Sequence, residues 1–167
     1  MLKTYSNQVY YFFEGKHMKN LIVTFCGHSD FSHNDKIITN LNKIIIDLIE
    51  NSNATEFSLG AYGNFDYTCK NLLNDIKKKH LNIRTCLYMP YLNNKKFSSL
   101  KNDFDEIIFP PIEKTPKKYA ILQCNRYMVQ KADIVIAYVE YSFGGAAKTL
   151  AYAKSQGKRI INLAEML

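Results

Sequence analysis

The apolar positions of this chain fall into two alternating patterns. Short continuous runs, at Leu21 to Cys26, Glu56 to Leu59, Ile83 to Met89, Asp105 to Phe109, Ile134 to Val139 and Arg159 to Leu163, read as strands. Where β-branched residues dominate, as in Ile134-Val135-Ile136, the strand is expected to be buried on both faces. Between these runs the apolar residues recur with the helical period. Ile37, Ile38, Leu41, Ile44, Ile45, Leu48 and Ile49 form one stripe, with Asn34 or Asp35 as its cap. Phe65, Cys69, Leu72, Leu73 and Ile76 predict a second helix. Thr115 as cap and Pro116 at the first helical position predict a third, carrying Tyr119, Ala120, Cys124, Tyr127 and Met128. A last helix follows Gly144-Gly145, with Ala147, Leu150, Ala151 and Lys154 at helical spacing and Gly157 as its stop.

Two stretches break the alternation. Pro90 to Asp103 is polar and lysine-rich and reads as the longest loop, a lid or a disordered excursion. Residues 1–19 match nothing downstream and read as a peripheral N-terminal extension. In it the apolar run Val9 to Phe13 would add an edge strand or pack on the surface, and Met18 is an alternative start. Residues 20–167 read as a single domain. Strands alternating with helices give the α/β class, with a mainly parallel sheet covered on both faces. In such a sheet ligands bind beyond the carboxyl ends of the strands, where the strand order reverses.

Three glycine-bearing loops follow strands and are expected to gather at that edge. They are Gly27-His28-Ser29-Asp30, the stretch Gly60-Ala61-Tyr62-Gly63-Asn64-Phe65-Asp66, and Ser142 to Thr149. The last is strand, glycine pair, helix, an arrangement that points free backbone N–H groups at a ligand and favours an anion. Small residues Ala146, Ala147 and Ala151 would let this helix lie close to the sheet. His28, beside Ser29 and Asp30, is expected to contact the ligand or pack the loop. Sequence neighbours seldom face one another as a nucleophile or metal site requires.

Composition narrows the class of partner. The chain has 167 residues, 47% hydrophobic and 22% charged, and no apolar run long enough to span a bilayer. No secretory signal pattern opens it, so a cytoplasmic protein is expected. Cys26, Cys69, Cys86 and Cys124 show no CxxC pairing and fall within the expected strands and helices, so reduced structural thiols are expected and no metal or cofactor. A net charge of +7 suits acidic partners, although the lysines are scattered over helix ends and loops.

The order and spacing of these motifs resemble the SLOG superfamily of Rossmann-like proteins, in a bacterial and phage branch. The superfamily includes the cytokinin-activating LOG phosphoribohydrolases and the DNA-processing DprA proteins. The resemblance rests on Cys26 to Asp30, Gly60 to Gly63, Asn125-Arg126-x-Met128-Val129-x-x-Ala132-Asp133 and Gly144 to Thr149, and spans residues 20 to 163. It implies a Rossmann-like three-layer sandwich and a nucleotide or nucleotide-derived ligand. The ligand-binding residues it implies are Gly27, His28, Ser29, Gly60, Ala61, Gly63, Asp66, Asn125, Arg126, Ser142, Gly144, Gly145, Ala146, Lys148 and Thr149.

The LOG enzymes carry PGGxGTxxE at the last loop, whereas this chain has Phe143 for the proline, Ala147 for the later glycine and Ala151 for the glutamate. Lys148 stands at the threonine position, with Thr149 one place on. The resemblance therefore implies a binding module, a sensor or a sequestering protein, as in the superfamily's signalling and antiphage roles. Arg126, Asp66 and Glu140 remain as candidate catalytic groups for a divergent phosphoribohydrolase-like glycosidic hydrolase. A DprA-like single-stranded DNA binder is the second alternative, needing a basic groove with exposed aromatics, with Tyr88, Tyr91, Lys95 and Lys96 as candidates. Self-association into a homodimer or higher oligomer is left open.

Overall fold

The computed structural model describes residues 19–166. The expected extension, with Val9 to Phe13 and Met18, lies outside the described residues apart from Lys19. Six strands pair in the order β4-β3-β2-β1-β5-β6. They are β1 (Leu21–Gly27), β2 (Ala54–Leu59), β3 (Arg84–Tyr88), β4 (Glu106–Ile108), β5 (Ile134–Tyr138) and β6 (Arg159–Asn162). Among the described residues every pairing is parallel, in keeping with the parallel sheet that the alternation predicts. The strand order reverses between β1 and β5, which pair from Val23 with Ile134 to Gly27 with Tyr138.

Helices α1 (Asp35–Ser52) and α2 (Asn64–Lys77) cover one face. Ile37, Leu41, Ile45 and Leu48 of α1 and Phe65, Cys69 and Leu73 of α2 join Val23, Phe25 and Phe57 of the sheet in the main core. Asn34 caps α1 by accepting from the Ile37 N–H at 3.2 Å. The stretch expected as a long loop contains α3 (Asn94–Leu100), capped by Asn93 and anchored by buried Leu100. Its lysines hide a helix whose apolar contacts come from Phe97 and Leu100 alone.

The other face carries α4 (Lys117–Lys131) and α5 (Gly144–Ser155). Pro116 takes the cap position of α4 with no side-chain hydrogen bond, so Thr115 does not cap it as expected. Ala137, Val135, Leu150 and Ala153 form the seam between β5 and α5. Gly157, at a φ of +63°, ends α5. The four cysteines are free and buried.

Candidate functional site

At the carboxyl end of the sheet, beside the β1–β5 switch point, lies a cavity of about 330 Å³. Its walls come from the end of β1 and the loop after it (Phe25 to Asp30), the start of α2 (Tyr62, Gly63, Asp66), one face of α4 (Ile121, Asn125, Met128), and Tyr141 with Phe143 to Ala146. The three glycine loops therefore converge, as their positions after strands predict.

Each glycine serves a different contact. A Cβ on Gly27 would lie 2.2 Å from the Phe65 ring, so this glycine lets α2 press against the end of β1. A Cβ on Gly63 would meet the Ser29 Cα at 2.8 Å, and the Asn64 N–H reaches the Ser29 carbonyl at 3.0 Å. Gly144 has a φ of +87°, which bends the chain into α5. Around Gly144 and Gly145 a Cβ would meet nothing within 4 Å, so their backbone is open to the cavity.

Two helices begin here, and they differ. The start of α2 has no side-chain cap, but it carries an acid in its first turn. Asp66, in its first turn, accepts from the Tyr62 N–H at 3.1 Å, and its carboxyl lines the cavity. Burial pushes the Asp66 carboxyl up to about 6, against the Tyr62 N–H and the Lys96 ammonium, which favour the ionised form. Lys96 itself is lowered by burial, donates to the Ala61 carbonyl and lies 3.9 Å from the centre of the Tyr62 ring. The start of α5 has neither a side-chain cap nor an acid in its first turn. The first residues of α5 line the cavity with no acid of their own helix beside them, and a helix start of this kind is where an anion is best stabilised.

The wall between the β1 and β5 loops is zipped shut. His28 is buried, and its Nε2 accepts from the Glu140 N–H at 3.0 Å, which requires the neutral tautomer with the proton on Nδ1. Its ring stacks on Tyr141 with centroids 3.6 Å apart, and Tyr141 stacks on Phe143 at 4.4 Å. The Tyr141 hydroxyl donates to Asp30 at 2.9 Å. Phe143 ends this three-ring stack with 69% of its surface exposed. From behind, Asn162 of β6 accepts from the Val139 N–H and donates to the Val139 carbonyl, both at 3.1 Å. Tyr141 and Asn162 carry no glycine or motif signal, and only their proximity to the switch point could have singled them out, whereas Phe143 stands at the proline position of the last glycine loop.

The sequence candidates separate into groups. Gly27, His28, Ser29, Gly63, Asp66, Asn125, Gly144, Gly145 and Ala146 line the cavity. Gly60 lies behind it, where a Cβ would sit 3.2 Å from the Asp66 carboxylate, and Ala61 is buried against Leu87 and Met89. Thr149 is buried and its hydroxyl donates to the Gly145 carbonyl at 2.9 Å, so it serves the helix. Ser142 is exposed outside the lining, and Lys148 lines a neighbouring groove. Arg126 projects elsewhere, with its guanidinium 5.2 Å from the Tyr152 ring of α5. Glu140 also lies outside the lining, its carboxylate facing the Tyr138 hydroxyl. Of the three candidate catalytic groups, only Asp66 faces the cavity. Cys26 also lines it; burial and the nearby Asp66 push its thiol up to about 12, and it donates to the Ala146 carbonyl at 3.2 Å. Tyr88, a candidate for an exposed aromatic, is buried.

A doubly covered parallel sheet with its cavity at the switch point can be set beside known structures. The fold is shared with DNA processing protein A. The chain is similar to DprA from Streptococcus pneumoniae, with a TM-score of 0.61 and 16% identity over 86% of this chain and 50% of that one. It is similar also to DprA from Helicobacter pylori, a protein with a single-stranded DNA binding mode, with a TM-score of 0.58 and 16% identity over 84% of this chain and 63% of that one. The chain thus spans between half and two thirds of the DprA proteins it matches. No protein-family model and no curated protein matches the sequence.

Proposed function

We propose that the cavity binds a nucleotide unit, with its phosphate at the start of α5. The observation that carries this reading is the contrast between the two helix starts, one occupied by Asp66 and the other open above Gly144 and Gly145. A volume near 330 Å³ is at the small end of the range for organic ligands and suits one nucleotide-sized group. The SLOG-like motif order supports the same reading, because its matching residues supply most of the cavity wall.

Single-stranded DNA is the form of that ligand favoured by the comparisons. The Helicobacter neighbour binds it, and this chain carries a formal charge of +7. Exposed Phe143 at the cavity mouth, and Lys117 set 5.2 Å over the Tyr91 ring nearby, offer the aromatic and cationic surfaces that unstacked bases and phosphates use.

The test is a pair of titrations. Thymidine monophosphate is followed by calorimetry, and a fluorescein-labelled thymidine oligomer by anisotropy at several salt concentrations. Both ligands should bind the wild-type protein, and Gly145→Asp should lose both. Oligomer affinity should fall with salt as phosphate contacts release counterions. Undiminished binding by folded Gly145→Asp would move the site elsewhere, and no binding of either ligand would reject the reading.

A further inference from the structure

A second hollow of about 320 Å³ adjoins the cavity, in the groove between the first halves of α4 and α5. Its lining includes Tyr119, Leu122, Lys118 and Lys148, none of which reaches the first cavity. The two hollows share Ile121, Asn125, Gly144 and Gly145. These four residues form the neck between them. On one side of the neck stands the exposed backbone of the glycine pair, above which a side chain would meet nothing. On the other stands the carboxamide of Asn125, which offers both donors and an acceptor.

We propose that the two hollows are consecutive subsites for a ligand with two nucleoside units joined through phosphate, the linking phosphate lying in the neck. This rests on the proposed nucleotide site and extends it from one unit to two. The chemistry of the second hollow fits that occupant. Tyr119, 49% exposed and beneath the Lys118 ammonium at 4.8 Å, gives a flat face for a base, and Leu122 and Ile121 give apolar walls. Lys118 and Lys148 set positive charge along the same groove, and its lining holds no carboxylate. The first hollow, by contrast, contains Asp30 and Asp66, so additional phosphates are better accommodated on the α4–α5 side. A single mononucleotide would fill one hollow and leave the lysines and Tyr119 unused.

The experiment compares thymidine monophosphate with the dinucleotide pdTpdT and a longer thymidine oligomer, by calorimetry at matched salt concentrations, with the dinucleotide titrated at several. The dinucleotide should bind at least tenfold more tightly than the mononucleotide. Tyr119→Ala should bring the dinucleotide close to mononucleotide affinity and leave the mononucleotide unchanged. Lys118→Gln with Lys148→Gln should flatten the salt dependence of dinucleotide binding. A free dinucleotide as the ligand predicts no gain from the longer oligomer, and a strand threading through both hollows predicts a further gain. Equal affinities for mono- and dinucleotide, or a dinucleotide indifferent to Tyr119→Ala, would overturn the two-subsite proposal and leave the single site standing. Binding of none of the three would overturn both.

Discussion

Replacing Gly145 by aspartate should strengthen the fold while it destroys the site. Gly145 lies in the first turn of α5 at an ordinary φ, with open space where a Cβ would go. Removing a glycine from a compatible position stabilises by about 0.4–1 kcal/mol through the unfolded chain. A carboxylate at a helix start adds about 0.3–1 kcal/mol against the dipole. Together these give roughly 1–2 kcal/mol, and at ~2–4 °C per kcal/mol for a chain of this size the melting temperature should rise by several degrees. The same carboxylate occupies and repels the place of a bound phosphate, so the ligand-induced rise in melting temperature should vanish. Gly27→Ala is the opposite control. Its methyl would collide with Phe65, which is fully buried and meets Phe31 edge-on at 5.4 Å, so overpacking should cost about 1–3 kcal/mol. Scanning calorimetry of both variants, with and without thymidine monophosphate, makes the comparison. A clear drop in the melting temperature of ligand-free Gly145→Asp would refute the view that this helix start is vacant and unstrained.

Asp66 gives a pH signature. Its folded value is raised from 3.8 to about 6, so the folded protein holds the proton more tightly, and stability should decline as pH rises between those values. Asp66→Asn keeps an acceptor for the Tyr62 N–H, so the wild type's decline should be missing from its melting curves, with a gain at pH 7 of up to roughly 3 kcal/mol; parallel curves for the two proteins would contradict this. Asn162→Leu strands both backbone groups of Val139 and should cost about 1–3 kcal/mol with a loss of ligand affinity, measurable by denaturant melts beside titration. Prolonged incubation with nucleoside monophosphates should release no free base on chromatography; release that Asp66→Asn abolishes would make the chain a hydrolase.

Much of this was legible in the sequence because parallel sheets write themselves as short apolar runs. Ile134 to Tyr138 is buried throughout, and the stripe from Ile37 to Ile49 became α1. The helix α3 escaped because its few apolar residues lie among lysines. At the site, the glycine loops were legible because tight approach demands glycine, as Phe65 does of Gly27. Arg126 was a different matter. Ile121, Asn125 and Met128 share one face of α4, and a single residue's step of about 100° turns Arg126 away toward Tyr152. A motif names neighbours along the chain, but the rotation of its helix decides which of them meets a ligand. The zip of His28, Tyr141 and Asp30 joins segments more than a hundred residues apart, and no local pattern encodes that pairing.

The position of β1 has a consequence for how the site comes into being. The strand made first is central, yet one of its two partners, β5, is made after nearly four fifths of the chain. Strands β1 to β4 can pair in sequence order as they emerge, each closing a modest loop. The cavity needs Tyr141 and Phe143 to Ala146, so it exists only after the strand pairing of longest sequence separation in the sheet has been made. A growing or truncated chain that stops before Asp133 would hold two of the three glycine loops and no site. Until β5 docks, the flank of β1 is an open edge with its ladder unpaired, and during that interval the chain is most exposed to pairing with another copy of itself.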